Sequence, residues 1–245
     1  MLKFFRRIRQ KLLDKGSLRK YSLYALGEIL LVMIGILLAL QVNNWNEGRK
    51  EKKLELQLLE GLKSDLNGSI NDITQVLRLD SIMINNGELL IEILEDEAST
   101  YQDSMAQLFG WIEIWDPFEP RMMAYENLRS IGYDVISNDT LRSKIVYLFD
   151  NGYAKQKTLS ATVVSILPNQ LDMIIKYLRT GENILHKRPN DFEKIKKNEE
   201  YLNYLSWMVA ARKAMVGVSR LTLSHMVDVR NQIDQELGYR SELKQ

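Results

Sequence analysis

The residues that most often bind metals or perform catalysis are scarce in this 245-residue sequence, which has two histidines and no cysteine. His186 and His225 lie on separate predicted elements, and neither follows a glutamate by three positions, as the metal sites of carboxylate helical bundles require. No glycine-rich phosphate loop, nucleophile elbow or histidine-based triad can be recognised. The sequence therefore predicts no enzyme activity, no metal site and no cofactor.

One carboxylate is distinctive because of its surroundings: Glu28 is the single ionisable residue between Ser22 and Val42. An ionised carboxylate inside a membrane costs several kcal/mol unless it is hydrated, paired or protonated. Three interpretations remain open. Glu28 is a protonated or hydrogen-bonded residue that fixes helix packing, or it pairs with a partner protein, or it is a proton-linked carboxylate in an accessory subunit of an ion-driven membrane complex.

A second candidate site is aromatic. The segment from Phe109 to Pro120, FGWIEIWDPFEP, gathers Trp111, Trp115 and Phe118 together with acidic residues. Tryptophan in a loop is enriched at binding centres, so this segment is a candidate ligand or partner patch. The alternative is that the rings only close one end of the folded domain.

The element that positions Glu28 is a predicted transmembrane helix at residues 19–46. Its apolar run from Ser22 to Val42 can cross a hydrocarbon core of about 30 Å at about 1.5 Å per residue. Tyr21 and Trp45 lie near its two ends, where amphipathic rings are favoured. The run is longer than that of a secretory signal and lacks a small-x-small cleavage site, so we expect it to be retained.

Charge predicts the orientation of this helix. Eight cations and one acid, Asp14, precede the apolar run, and residues 1–18 predict a basic amphipathic helix on the cytoplasmic leaflet. Short basic flanks stay in the cytoplasm. We therefore expect residues 47–245 in the periplasm, outside the bacterial inner membrane. The chain has a net charge of +1, but the part after the span is mildly acidic, which argues against nucleic acid as a partner.

Small residues on the span predict contact with another helix. Gly35 and Ala39 form a small-xxx-small pair, and Gly27 lies two turns earlier on nearly the same side, next to Glu28. Such positions let two helices approach closely. Beyond the lipid bilayer itself, we therefore expect a second copy of the chain or another membrane protein as the partner.

The remainder predicts an all-α domain. Apolar residues recur at three- and four-residue steps over 51–96, 121–130, 139–179 and from residue 191 to Gly238, with a kink at Pro168 and a polar linker over 180–190. The few prolines and glycines favour long helices. An elongated antiparallel four-helix bundle, held by its core without disulfides, is the expected arrangement.

Two stretches carry a resemblance to known proteins. Residues 19–47, RKYSLYALGEILLVMIGILLALQVNNWNE, and residues 125–142, YENLRSIGYDVISNDTLR, resemble an uncharacterised family of membrane proteins of unknown function from Bacteroidota. The resemblance covers the N-terminal part of the chain and supports the single-pass topology. It implies no catalytic residue, because the family has no assigned activity.

These observations predict a single-pass membrane protein whose helical domain binds other proteins or itself as a scaffold. Two alternatives from other classes remain. One is a ligand-sensing domain with its pocket near Trp111 and Trp115, and the other is the accessory subunit of a proton-driven complex that uses Glu28.

Overall fold

The computed structural model describes residues 18–111, 114–165, 167–181 and 183–242. Of the predicted cytoplasmic segment at residues 1–18, only Leu18 belongs to the described residues. The chain divides into two units, Met1–Leu54 and Glu55–Gln245.

The first helix, α1, runs from Leu18 to Glu95 and belongs to both units. It contains no proline, and its second half is rich in Leu, which favours helix. The predicted division near residue 46 is not a helix boundary. Gly48 and the Asn85-Asn86-Gly87 stretch lie within the helix.

Short helices follow α1. A 3₁₀ turn at Asp103–Met105 leads into α2 (Ala106–Trp111), and α3 (Met123–Ile131) is followed by a second 3₁₀ turn at Tyr133–Val135. The helix predicted at 121–130 is thus present, shifted by one or two residues. Gly132 ends α3 as predicted, with a φ of 114° that side chains rarely adopt.

The helix predicted as a single element over 139–179 consists of several. The sequence offers Ser137 or Asn138 as the cap of a helix that begins near Asp139. In the structure Asn138 caps α4 (Asp139–Val146), since its Oδ1 accepts a hydrogen bond from the Leu141 N–H at 3.1 Å. A π-helical segment, Tyr147–Gly152, then connects to α5 (Tyr153–Val164), and α6 (Leu167–Tyr177) follows. Pro168 lies in the first turn of α6, where its missing N–H costs little.

The predicted linker at 180–190 contributes to a small antiparallel hairpin. Strands β1 (Leu178–Thr180) and β2 (Lys187–Pro189) pair with Leu178 opposite Pro189. The turn of the hairpin lies against α2, because a Cβ atom on Gly110 would be 1.9 Å from the carbonyl oxygen of Leu185. Only glycine fits this position without a shift of the backbone.

Two helices complete the chain. Asp191 caps α7 (Phe192–Lys196), and α8 (Glu199–Glu242) begins after Asn198, whose Oδ1 accepts from the Tyr201 N–H at 2.8 Å. The predicted stop at Gly238 is wrong, because α8 continues through it.

The core of the second unit forms between α1, α8 and the elements that connect them. One apolar cluster joins the end of α1 to α2, the hairpin, α7 and the start of α8: Leu90, Leu94, Phe109, Tyr177, Leu178, Phe192, Ile195, Tyr201, Leu205 and Val209. The three- and four-residue repeat over 51–96 includes Ile82 and Leu89, but these two side chains are exposed, whereas Met83 and Leu90 are buried.

The predicted fold class is therefore confirmed in its coarse form, a mainly helical chain with a long, apolar N-terminal helix. The two-stranded sheet is an addition to the predicted all-α class.

Candidate functional site

The N-terminal part of α1 exposes an unbroken set of large apolar side chains. From Leu23 to Val42 these side chains are between 43% and 67% exposed. Among the described residues, α1 is the one helix long and apolar enough to cross a membrane. Water solvates such a surface poorly, so this segment favours an apolar environment, and the described residues do not cover it.

Glu28 and the three small residues lie on one side of this segment. At about 100° per residue, Gly27, Glu28, Gly35 and Ala39 fall within about a third of the helix circumference. A Cβ atom added to Gly27 or Gly35 would meet nothing within 4 Å, so both positions present open backbone. Glu28 is half-buried among its neighbours on the helix.

The three aromatic residues of the predicted patch lie in different surroundings. Trp111 ends α2 and is half-buried, Trp115 is half-buried against Arg212, and Phe118 is only 6% exposed and packs edge-on against Tyr153. The guanidinium carbon of Arg212 lies 5.1 Å from the Trp115 ring centroid, within the range of a cation–π contact. The three residues thus do not form one exposed surface.

Arg212 belongs to a buried ion pair that the sequence does not reveal. Its side chain is 1% exposed and its Nη1 donates to Asp80 Oδ1 at 2.8 Å, which joins α8 to α1. Burial raises the pKa of Asp80, although the guanidinium of Arg212 opposes this shift. Burial also lowers the pKa of Arg212, although the carboxylate of Asp80 opposes this shift. Each charge of the pair thus favours the ionised form of the other, in opposition to the effect of burial.

A cavity of about 560 Å³ lies beside α5 in the second unit. It is formed by the segment before α3, by α3 itself, by the π-helical segment and by α5. Its wall is mainly apolar, and its lining includes Phe118, Phe149, Tyr153, Gln156 and Ser160. We call it the α5 cavity. The Tyr153 ring lies 6.2 Å from Phe118 and 5.0 Å from Phe149, centroid to centroid.

Polar side chains of α1 hold one wall of the α5 cavity in place. Ser69 Oγ accepts from the Arg121 N–H at 2.9 Å, and Asp65 Oδ2 accepts from the Ala124 N–H at 2.7 Å. These bonds satisfy N–H groups at the start of α3, which has no side-chain cap of its own. Residues 117–122 are thereby fixed between α1 and α5.

Gln156 and Ser160 of the α5 cavity were missed by the sequence analysis. Gln156 is 1% exposed, and its Nε2 donates to Ser219 Oγ at 2.8 Å. Polar residues that interrupt the inward faces of α5 and α8 are the signal that would have indicated them. Of the three aromatic residues Trp111, Trp115 and Phe118 of the predicted patch, Phe118 is the one that lines this cavity. Burial also raises the pKa of Tyr153.

The described residues contain no group of three or more His, Cys, Asp and Glu side chains arranged to hold a metal ion. Charged groups on the surface pair locally instead. Arg142 Nη2, for example, contacts Asp139 Oδ1 at 2.8 Å within α4.

Comparison with curated proteins and with solved structures gives no match for this chain. A family model described as "Family of unknown function (DUF6090)" matches residues 28–156, which is more than half of the chain. The match begins at Glu28 within the exposed apolar segment and ends at Gln156 in the α5 cavity. The chain therefore belongs to this family of unknown function, DUF6090.

Proposed function

We propose that this chain is a single-pass inner-membrane protein whose helical domain, on the periplasmic side, serves as a protein-interaction or scaffolding module and self-associates. The observation that carries the proposal is the exposed apolar surface of α1 between Leu23 and Val42.

The balance of free energies favours a membrane location for this surface. On the insertion scale for a spanning helix, one Leu, Ile or Val near the centre contributes about 0.3–0.6 kcal/mol, and more than ten such side chains are exposed here. One acidic residue near the centre costs about 2.5–3.5 kcal/mol on the same scale. The cost of Glu28 is therefore smaller than the summed gain from its neighbours.

Charge supports the orientation. Lysine and arginine are concentrated before the apolar segment, where Asp14 is the only acid up to residue 20. After the segment, Arg49, Lys50, Lys52 and Lys53 are offset by Glu47 and Glu51. The stronger basic flank belongs in the cytoplasm, which directs residues 47–245 to the periplasm.

The contact between copies involves the face of Gly27, Glu28, Gly35 and Ala39. Lipid tails are as apolar as the leucines of the span, so helices associate there through close packing and polar contacts. The two glycines leave room for a second backbone, and the carboxyl group of Glu28 avoids lipid when it faces a partner helix.

In the second unit, we propose the elongated antiparallel four-helix bundle as the interaction module. Three ion pairs between α1 and α8 support this arrangement: Lys63 with Asp234, Asp80 with Arg212, and Glu88 with Lys213. From Lys63 to Asp80 the residue number rises along α1, whereas the partner's number falls from Asp234 to Arg212 along α8. Long helices with charged outer faces suit protein binding better than they suit catalysis.

The test is the mass of the detergent-solubilised protein, measured by light scattering during size-exclusion chromatography. We expect an oligomer, and we expect Gly35→Leu to raise the dissociation constant on the order of tenfold, the change that about 1.4 kcal/mol of lost packing produces. Leu37→Phe is the matched control, because it adds bulk about 200° around the helix from Gly35. A monomeric wild type without a co-purifying protein would refute the proposal.

A further inference from the structure

A groove of about 730 Å³ lies between α4 and the C-terminal half of α8, and it shares no lining residue with the α5 cavity. We call it the α8 groove. Small-molecule sites typically have volumes of about 300–1,000 Å³ and mostly apolar walls. The volume of the α8 groove is in this range, but no described residue that lines it is aliphatic. Its lining therefore suits a ligand that forms hydrogen bonds.

One row of α8 side chains fixes a wall of the groove against α4. Asp228, Gln232 and Glu236 are four residues apart and share one face of the helix. The Asp228 carboxylate accepts from Lys144 Nζ at 2.8 Å and from Gln232 Nε2 at 3.0 Å. Glu236 Oε2 accepts from Asn138 Nδ2 at 2.9 Å. Because α4 is linked to both ends of this row, the wall is in place before a ligand enters.

A second row of α8 side chains is open to a ligand. Asn231, Gln235 and Tyr239 are also four residues apart, all three line the groove, and all three are exposed, Tyr239 by 63%. Each carboxamide carries donors and an acceptor. The tyrosine adds a flat ring with a hydroxyl at its end. A molecule in the groove can therefore contact a row of hydrogen-bonding groups that ends in an aromatic surface.

The charges of the groove favour a neutral ligand. Lys144 is the one cation among the described residues of the lining, and it pairs with Asp228. Hydrogen bonds from Lys144 and Gln232 lower the pKa of Asp228, so the pair stays ionised at neutral pH. The groove thus offers no uncompensated cation to a phosphate or carboxylate ligand.

Two classes of neutral ligand could use such groups, an extended peptide and a saccharide. Peptide-binding grooves add pockets for side chains to their hydrogen bonds, and the described lining offers no aliphatic pocket. In a β-linked pyranose with equatorial hydroxyls, C–H groups cover both faces of the ring and hydroxyls surround its edge. The face matches the exposed ring of Tyr239, and the edge matches the carboxamides of Asn231 and Gln235.

We propose that the α8 groove binds a neutral, β-linked pyranose saccharide. Its hydroxyls exchange hydrogen bonds with Asn231 and Gln235, and one sugar face packs on Tyr239. This inference goes beyond the scaffolding role and does not depend on self-association through the span.

Calorimetric titration of the full chain in lipid nanodiscs with cellobiose tests the proposal. The comparison ligand is octa-O-methyl cellobiose, which keeps the two rings but has no hydroxyl donor. We expect cellobiose to bind with a millimolar dissociation constant and at least about tenfold more tightly than the methylated sugar. Raising the salt from about 50 mM to about 500 mM should leave the affinity unchanged, because the ligand carries no charge.

Variants assign the binding to this groove. Asn231→Leu with Gln235→Leu is expected to weaken cellobiose binding at least about tenfold, with helix content unchanged because both side chains are exposed. Asn203→Leu is the matched control, because Asn203 is an exposed amide of α8 outside the groove. Tyr239→Ala should also weaken binding, whereas Tyr239→Phe keeps the ring and should retain most of it.

Several results would overturn the proposal. They are absence of binding at about 50 mM cellobiose, far above a millimolar dissociation constant, equal binding of the methylated sugar, tighter binding of the peptide N-acetyl-alanyl-alanine amide, or equal effects of the groove variant and Asn203→Leu. The oligomeric mass of the same samples is a separate measurement. A failure here is thereby distinguishable from a failure of the scaffolding role.

Discussion

Replacement of Arg212 by methionine is expected to lower the free energy of unfolding of the helical domain by about 3–5 kcal/mol. The Arg212 side chain is 1% exposed, and it forms an ion pair with Asp80. Without it, the carboxylate of Asp80 must be protonated or remain charged in a largely buried place. Urea denaturation followed by circular dichroism measures the change.

The neighbouring residue supplies the control. Lys213 pairs with Glu88 at 2.6 Å, but both side chains are about half exposed. Exposed ion pairs contribute at most about 1 kcal/mol, so Lys213→Met should have little effect. The double variant Arg212→Met with Asp80→Leu should recover most of the lost stability, because no charge then stays buried alone. Equal effects of Arg212→Met and Lys213→Met would contradict the role assigned to the buried pair.

Two arginines in the centre of the apolar segment, Leu31→Arg with Leu38→Arg, are expected to remove the protein from the membrane. Each arginine costs about 2.5–3.5 kcal/mol at the centre of a spanning helix. Together they offset the gain of several leucines and add to the cost of Glu28. Alkaline carbonate extraction of membranes, followed by immunoblotting of the pellet and the supernatant, measures the loss.

Leu171→Arg with Leu221→Arg is the matched variant for this experiment. These two leucines are 57% and 50% exposed in the second unit, outside the apolar segment. The variant adds the same charge and should stay in the pellet. If both double variants are extracted to the same degree, the apolar segment is not what holds the protein in the membrane.

The sequence predicts the helices of this fold better than their inward faces. The apolar repeat locates the end of α1 and the start of α4 to within about a residue, because their periodicity and the Asn138 cap are local signals. In α1, however, Asp80 occupies an inward position. A prediction from apolar spacing alone therefore places Ile82 and Leu89 on the inward face, although both are exposed. It omits Met83, which is buried.

The breaks in the predicted helix at 139–179 depend on tertiary contacts. Tyr147–Gly152 keeps the helical repeat of apolar residues, and a π-helical turn has no separate pattern in a single sequence. The hairpin at Leu178–Pro189 is equally hard to predict from the sequence, because two strands of three residues are too short to show an alternation of apolar and polar side chains. Contact of its turn with Gly110 is visible only in the folded chain.

The candidate sites differ in how far they could be predicted. Glu28, Gly27, Gly35 and Ala39 are found from one continuous segment, because the membrane imposes length, apolarity and small contact residues on a single helix. The α5 cavity combines Phe118 from a loop with residues of the π-helical turn and α5. Only the fold brings these residues together. The sequence gives no reason to prefer Phe118 to Trp111 or Trp115, yet neither tryptophan lines the cavity.

The most direct test of the membrane account uses the absence of cysteine from the chain. Single cysteines are introduced at Arg19 and at Thr158, both exposed, and spheroplasts are treated with a membrane-impermeant maleimide. We predict that Thr158→Cys is labelled in intact spheroplasts and Arg19→Cys only after the membrane is opened. Labelling of Thr158→Cys only after lysis, or recovery of the protein in the soluble fraction, would contradict a periplasmic domain anchored by one helix.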